Sequence, residues 1–215
     1  MIQRVYEGAA KSKMITDLVV ATDDLRIHDH VLAFGGKSMM TSEEHSSGTD
    51  RCGEVAEKFD KADIVINIQG DEPLVQYQQI DQLLKAFERE TVQIASLGIS
   101  STDHEEYTNT NRIKMVLNHL GEAMYFSRSP IPSLNNASEA LKKDFSFVRH
   151  IGLYAYRKDV LLKLCSLEKT KLEAQESLEQ LRWMYHGYRI QIVETDIETP
   201  NIDSPADLEE VLKHL

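Results

Sequence analysis

No apolar run approaches the ~18–20 residues that a membrane span requires. The opening residues, Met1 to Lys13, mix charge with apolar groups where a secretory signal would hold an uninterrupted apolar core. Both absences point to a soluble, cytoplasmic protein with no membrane partner. Cysteine is nearly missing as well. Cys52 and Cys165 lie far apart, and neither has a second cysteine or a histidine at a metal-ligand spacing, so they read as reduced, partly buried thiols. Positive charge is scarce: 24 basic residues stand against 35 acidic ones, a net charge of −11 with no local basic patch. Such a chain repels a polyanion, which excludes nucleic acid as a partner. A small anionic substrate stays admissible, because a divalent cation can bridge phosphates to carboxylates. Repeats and low-complexity segments are also lacking.

What is present is a chain of 215 residues, 41% of them hydrophobic, enough to bury an ordinary core in one domain spanning 1–215. Met1–Lys13 carries its apolar residues at helical spacing. Asp17–Asp23 is a short apolar run closed by polar residues, the pattern of a strand buried on both faces of a parallel sheet. A helix over Leu25–Ala33 stops at Gly35-Gly36, Lys37–Ser42 reads as a strand, and Thr49–Phe59 reads as a helix capped by Thr49 or Ser47. Asp63–Ile68 is the strongest signal for a buried strand and runs straight into Gln69-Gly70-Asp71-Glu72-Pro73. A helix over Tyr77–Glu90 and a strand over Val92–Ile99 follow. This alternation predicts an α/β fold with a doubly wound, mainly parallel sheet.

The middle of the chain changes character. Arg112–Leu117 and Ala123–Phe126 flank Asn118-His119-Leu120-Gly121, a hairpin signal that adds an antiparallel insertion to the sheet. Ser129–Asp144, with two prolines and Asn135-Asn136, is expected to be a long mobile loop. A strand at Arg149–Tyr156, a helix from Lys158 to Cys165, a single helix over Glu173–His186 and a strand at Arg189–Glu194 complete the pattern. Ser204-Pro205-Ala206-Asp207 opens a last helix with cap, first-turn proline and capping box.

In a doubly wound sheet, ligands bind beyond the carboxyl ends of the strands. Asp71 stands there, after the Ile64–Ile68 strand and a glycine that lets the backbone turn sharply. Asp203 stands just ahead of the final helix. Two such carboxylates suit Mg²⁺, which takes one or two protein oxygens and completes its shell with water and phosphates. A polar residue at a helix N-terminus explains Asp203 equally well. His45-Ser46-Ser47-Gly48-Thr49-Asp50-Arg51 offers hydroxyls and amides that open a helix, able to receive a base or an anion, although most such runs are capped loops. His150 and Tyr154 share one face of a strand. Glu179 and Gln180 are expected in mid-helix, where a solvated face is the ordinary explanation.

Taken in order, several stretches resemble the 3-deoxy-manno-octulosonate cytidylyltransferases. They are Val19-Val20-Ala21-Thr22-Asp23, Met40-Thr41-Ser42 with His45–Arg51, and Asn67–Pro73. Further on come Tyr125–Pro132, Arg149–Arg157, Leu178-Glu179-Gln180-Leu181-Arg182 and Ile202–Leu208. The resemblance implies transfer of CMP from CTP to the eight-carbon acid sugar 3-deoxy-manno-octulosonate (KDO), with release of diphosphate, for lipopolysaccharide biosynthesis. It implies Asp71 and Asp203 as catalytic ligands of Mg²⁺ and Ser47, Gly48 and Arg51 on the nucleotide side. Gln69, Arg128, His150, Tyr154, Glu179 and Gln180 fall on the sugar side, and the assembly is a homodimer. Members of this family place a first strand and a loop of the form Pro-Ala-Arg-x-x-Ser-x-Arg-x-x-Gly-Lys-Pro ahead of the residues matching Met1–Glu7. Neither is among these 215 residues, and the expected result is an open gap in the sheet and a weak triphosphate site. Ser133-Leu134-Asn135-Asn136 also differs from relatives that carry basic residues there. A non-catalytic sugar-binding or partner subunit, and a cytidylyltransferase for another acid sugar, are the alternatives.

Overall fold

A computed structural model describes residues 1–198. They divide into two compact units, one built from Met1–Lys85, Leu153–Cys165 and the residues from Ile197, the other from Ala86–Gly152 and Ser166–Asp196.

The first unit opens with helix α1 (Ile2–Ala9), whose apolar spacing turns Val5 and Ala9 into the core. Strand β1 (Val20–Thr22) pairs in parallel with β2 (Ser38–Met40), placing Val20 opposite Ser38 and Thr22 opposite Met40. Helix α2 (Leu25–Ala33) connects them. The Asp24 side chain accepts a hydrogen bond from the Arg26 amide at its start, and Gly35, at φ +84°, supplies the left-handed residue past its end. Helix α3 (Gly48–Glu57) has Ser47 as its cap, not Thr49, because the Ser47 side chain accepts from the Asp50 amide while Thr49 is buried. Strand β3 (Ile64–Asn67) pairs antiparallel with the second half of β7 (Phe147–Arg157), from Ile64 opposite Arg157 to Asn67 opposite Tyr154. Helices α4 (Tyr77–Ala86) and α7 (Lys158–Cys165) complete this part.

Neither β1 nor β3 has the two buried faces that its apolar run predicts: Val20, Ala21, Ile64, Val65 and Ile66 are all only half-buried. The reason is a cavity of about 370 Å³ lined by Leu18, Val19 and Ala21 on one side and Ile64, Val65 and Ile66 on the other, with Cys52 and Val55 of α3. The two strands therefore do not pair, and β1–β2 stands as a separate two-stranded sheet.

The second unit holds strands in the order β6-β5-β7-β4-β8. Strand β4 (Ile94–Ser101) is buried from Ile94 to Ile99 and pairs in parallel with β8 (Ile190–Glu194). Fully burying each such Ile or Leu contributes about 1.5–3 kcal/mol. Strand β5 (Lys114–Leu117) pairs antiparallel with β6 (Ala123–Ser127) and with β7, which is the predicted antiparallel insertion. Its turn uses Asn118, whose Oδ1 accepts from the amides of Leu120 and Glu122, and Gly121 at φ +74°. The short helix α5 (His104–Thr108), capped by Asp103, has no counterpart in the sequence reading. The stretch expected as a long loop contains another, α6 (Glu139–Lys143).

The predicted helix near the C-terminal end of the described residues is overturned. Glu173–His186 is not a single helix but two, α8 (Lys171–Glu176) and α9 (Gln180–Tyr185), broken at Ser177, which adopts φ 52°. Side-chain demands explain the break. Glu173 completes a capping box with Thr170, and Glu176 is recruited by groups outside the helix, as described below. Glu179 and Gln180 consequently sit at the start of α9 and not in mid-helix: Glu179 is its cap residue, and Gln180 is buried. The last predicted helix, with Ser204, lies outside the described residues.

Candidate active site

In the first unit, the segment entering α3 faces the exit of β3. A Cβ placed on Gly48 would lie 3.4 Å from Nδ2 of Asn67 and 3.5 Å from Nε2 of Gln69, so the exposed Gly48 backbone and these two amides are neighbours. Gln69 in turn points its amide at Asn67 Oδ1, 3.5 Å away. One turn into α3, Arg51 donates to Thr41 Oγ1 at 2.5 Å and to the Ser42 carbonyl at 3.4 Å, and pairs with Asp23 at 2.7 Å. The hydrogen bond from Arg51 holds the Asp23 carboxyl below its usual range. His45 pairs with Glu54 at 2.5 Å, and Glu54 also accepts from the Ser42 amide. Ser47, Gly48, Arg51 and Gln69 are thus brought together with the loop after β2.

Asp71 follows in the turn after Gly70. Its carboxylate is exposed and makes no hydrogen bond or ion pair among the described residues. Tyr154, opposite Asn67 in the β3–β7 register, is buried and stacks on Tyr156 with ring centroids 6.0 Å apart. Asp203 lies outside the described residues.

The second unit, taken by itself, holds a denser polar cluster. Arg128, just past β6, is held at both backbone and side chain. Its amide donates to Glu176 Oε2 at 2.9 Å, and its guanidinium donates to the carbonyls of Glu176 (2.7 Å), Thr110 (3.2 Å) and Ser177 (3.3 Å). The other Glu176 oxygen accepts from Ser127 Oγ at 2.7 Å and Tyr125 OH at 3.4 Å. Burial pushes the Glu176 carboxyl upward, but these donors outweigh it and hold the group below its ordinary value. Lys114 is wholly buried; its ammonium donates to the carbonyls of Asn109 (2.9 Å), Arg112 (2.8 Å) and Arg128.

His150 lies on β7 with one ring nitrogen 2.8 Å from Ser96 Oγ and its ring edge-on to Phe126. Burial, reinforced by the charge of Arg149, pushes its pKa down to about 3, so the imidazole is neutral at physiological pH. It can exchange hydrogen bonds but cannot supply charge. Glu179 meets Arg182 at 3.2 Å, and Arg182 is itself gripped by Glu173 through two bonds of 2.9 and 2.7 Å.

Sequence reasoning missed Lys114, Glu176 and Ser96. Lys114 did carry a signal, since it interrupts the apolar run Ile113–Leu117 between Ile113 and Met115. Glu176 carried none, because a glutamate in a helical pattern reads as solvated surface.

Comparison with known proteins fits this arrangement. A family model described as cytidylyltransferase matches residues 1–192. A 3-deoxy-manno-octulosonate cytidylyltransferase of Geotalea uraniireducens is 44% identical over 223 residues, covering all of this chain and 88% of the relative. One of Bacteroides thetaiotaomicron is 48% identical over 222 residues, with the same coverage. The solved structure of a CMP:2-keto-3-deoxy-manno-octonic acid synthetase complexed with CTP superposes with a TM-score of 0.91 at 40% identity, covering all of this chain and 88% of that one. With likeness of this extent, and the ordered motifs lying at strand exits and helix starts, the chain belongs to the 3-deoxy-manno-octulosonate cytidylyltransferase family.

Proposed function

We propose that the protein transfers CMP from CTP to 3-deoxy-manno-octulosonate, giving CMP-KDO and diphosphate. The observation that carries this reading is the match, along the entire chain, to a structure of the same fold holding CTP. In the reaction the anomeric hydroxyl oxygen of the sugar bonds to the α-phosphorus of CTP. The bond from that phosphorus to the oxygen bridging to the β-phosphate breaks, diphosphate leaves, and the hydroxyl proton passes to solvent.

The residues act mainly by position. Ser47, Gly48 and Arg51 line the cytidine side, where the exposed Gly48 backbone admits a close approach. Gln69, Arg128, His150, Tyr154, Glu179 and Gln180 contact the sugar acid. Arg128 offers its carboxylate a planar fork, and neutral His150 offers a hydrogen bond without repelling or attracting charge. Alignment of reacting atoms lowers much of the barrier in such transfers, and no side chain is assigned as general base.

Mg²⁺ belongs to the same proposal, with Asp71 and Asp203 as its protein ligands. The donor at Asp71 fits: it is a hard carboxylate oxygen, exposed and unused by the fold among the described residues. Mg²⁺ takes one or two protein carboxylates and completes its shell with water and substrate phosphates, which is the role proposed for this pair. Bound Mg²⁺ would neutralise phosphate charge as the α-phosphorus is attacked. No helix among the described residues is long and apolar enough to cross a membrane. A cytoplasmic homodimer that supplies lipopolysaccharide biosynthesis completes the reading.

The test is diphosphate release from CTP with KDO and Mg²⁺ present and each omitted in turn. Release that requires all three supports the proposal; none under any condition sinks it. Asp71→Asn should abolish release while leaving the melting temperature within about 2 °C of the parent, since an exposed side chain is exchanged for an isostere. Near-normal turnover by that variant would remove Asp71 from the metal site.

A further inference from the structure

We propose that Lys114 and Glu176 are positioning residues that build the Arg128 anion site, and that the three together hold one net positive charge for a single carboxylate to neutralise. The inference rests on the reading above that Arg128 meets the sugar carboxylate.

Three observations carry it. First, the Lys114 ammonium has three carbonyl acceptors, those of Asn109, Arg112 and Arg128. Only the protonated form has three N–H donors to satisfy them, so the hydrogen bonding calls for a cation in a position with no solvent access. Those carbonyls belong to the segment before β5 and to Arg128 itself, so one side chain ties the anion-binding residue to the strand behind it. Second, the Glu176 carboxylate takes the Arg128 amide and Ser127 Oγ, and its own backbone carbonyl takes Arg128 Nε. Arg128 is thereby fixed from the other side, by the last residue of α8.

Third, the charges do not cancel. Among the described residues no carboxylate pairs with the Arg128 guanidinium; its recorded partners are three neutral carbonyls, which use three of its five N–H donors. Lys114 and Arg128 contribute two positive charges against the one negative charge of Glu176. Burial draws the Lys114 pKa below its ordinary value and the Arg128 charge adds to this, while the Glu176 charge opposes both, so the three groups are coupled and the cation at Lys114 stands on its three carbonyl acceptors. A half-buried cluster with an uncompensated cation and two open donors has the charge and the fork that one carboxylate requires.

A double-mutant cycle on the full 215-residue chain tests this, with calorimetric titration of KDO as readout and titration of CTP as control. Arg128→Ala should weaken KDO binding by about tenfold or more while leaving the Kd for CTP within about twofold. Lys114→Met should do the same in the parent but change little in the Arg128→Ala background, because Lys114 acts through Arg128. If Lys114→Met fails to fold, Glu176→Gln, which keeps an acceptor oxygen, takes its place with the same expectation of non-additivity. No KDO binding by the parent chain, or full affinity in Arg128→Ala, defeats the underlying reading of Arg128. An effect of Lys114→Met that adds in full to Arg128→Ala, that is absent in the parent, or that falls equally on CTP overturns the positioning role and leaves the Arg128 reading intact.

Discussion

Replacing Glu173 by glutamine isolates a buried ion pair of the second unit. The side chains of Arg182 and Glu173 are only 4% and 12% exposed, and they meet in a two-bond fork of 2.9 and 2.7 Å. Removing one partner of a buried pair leaves an uncompensated charge and costs roughly 3–5 kcal/mol. Arg182 keeps Glu179 at 3.2 Å, which is 25% exposed, so the lower end applies, about 3 kcal/mol. For a chain of this length each kcal/mol shifts the melting temperature by roughly 2–4 °C, so the expected drop is about 6–12 °C. Circular dichroism melts and urea titrations measure it. The double variant Glu173→Leu with Arg182→Met removes both charges into an apolar setting and should return to within about 1 kcal/mol of the parent. A loss under about 0.5 kcal/mol in Glu173→Gln, or a double variant less stable than the single one, would falsify the claim that desolvated charge dominates here.

Two further substitutions probe packing and protonation. Gly98→Ala should cost about 1–3 kcal/mol by overpacking, because its Cβ would lie 2.6 Å from Met115 Cε and 2.9 Å from both Ile192 Cγ2 and Val148 Cγ1; an unchanged urea midpoint would count against the tight contact. His150 has a folded pKa of about 3, below the 6.5 of the unfolded chain, so its unfolded state binds more protons between those values. Its contribution is fully present above pH 6.5 and is lost as pH falls toward 3, amounting to about 2 kcal/mol between pH 7.5 and 5. His150→Asn should remove that share of the pH dependence in denaturant titrations, and parallel curves for parent and variant would contradict the neutral, buried imidazole.

Periodicity located the regular elements where local signals agree with packing. Leu25–Ala33 and Lys158–Cys165 are helices over the residues expected, and the hairpin turns at Asn118 and Gly121, where side-chain acceptor and positive φ coincide. Period alone could not locate the break at Ser177. The residues from Glu173 to His186 satisfy a helical pattern, but two glutamates in that stretch have partners that a continuous helix would not offer them, Arg182 at nine residues for Glu173 and the Arg128 amide for Glu176. The first pairing does not match the three- or four-residue spacing of neighbours on a helix, and the second lies 48 residues away, beyond any local window. The half-buried β1 and β3 illustrate the converse: apolar runs report what a strand is suited to bury, and a cavity beside both leaves that capacity unused.

Three arginines that a sequence reader would treat alike separate once their partners are known. Arg182 is neutralised by Glu173 and Glu179, and Arg51 by Asp23. Arg128 donates only to backbone carbonyls. An arginine whose charge is already matched gains little from an anion, which would have to compete with a carboxylate a few tenths of a nanometre away. One resting on neutral carbonyls has its orientation fixed and its charge still available. Under the proposed function, this criterion gives Arg51 the task of holding Thr41 and Ser42 in place at the mouth of α3, and gives Arg128 the electrostatic attraction for an acidic substrate. Substituting Arg51 by lysine should therefore disturb geometry more than charge, because the ammonium cannot reproduce a fork that spans Thr41, Ser42 and Asp23 at once.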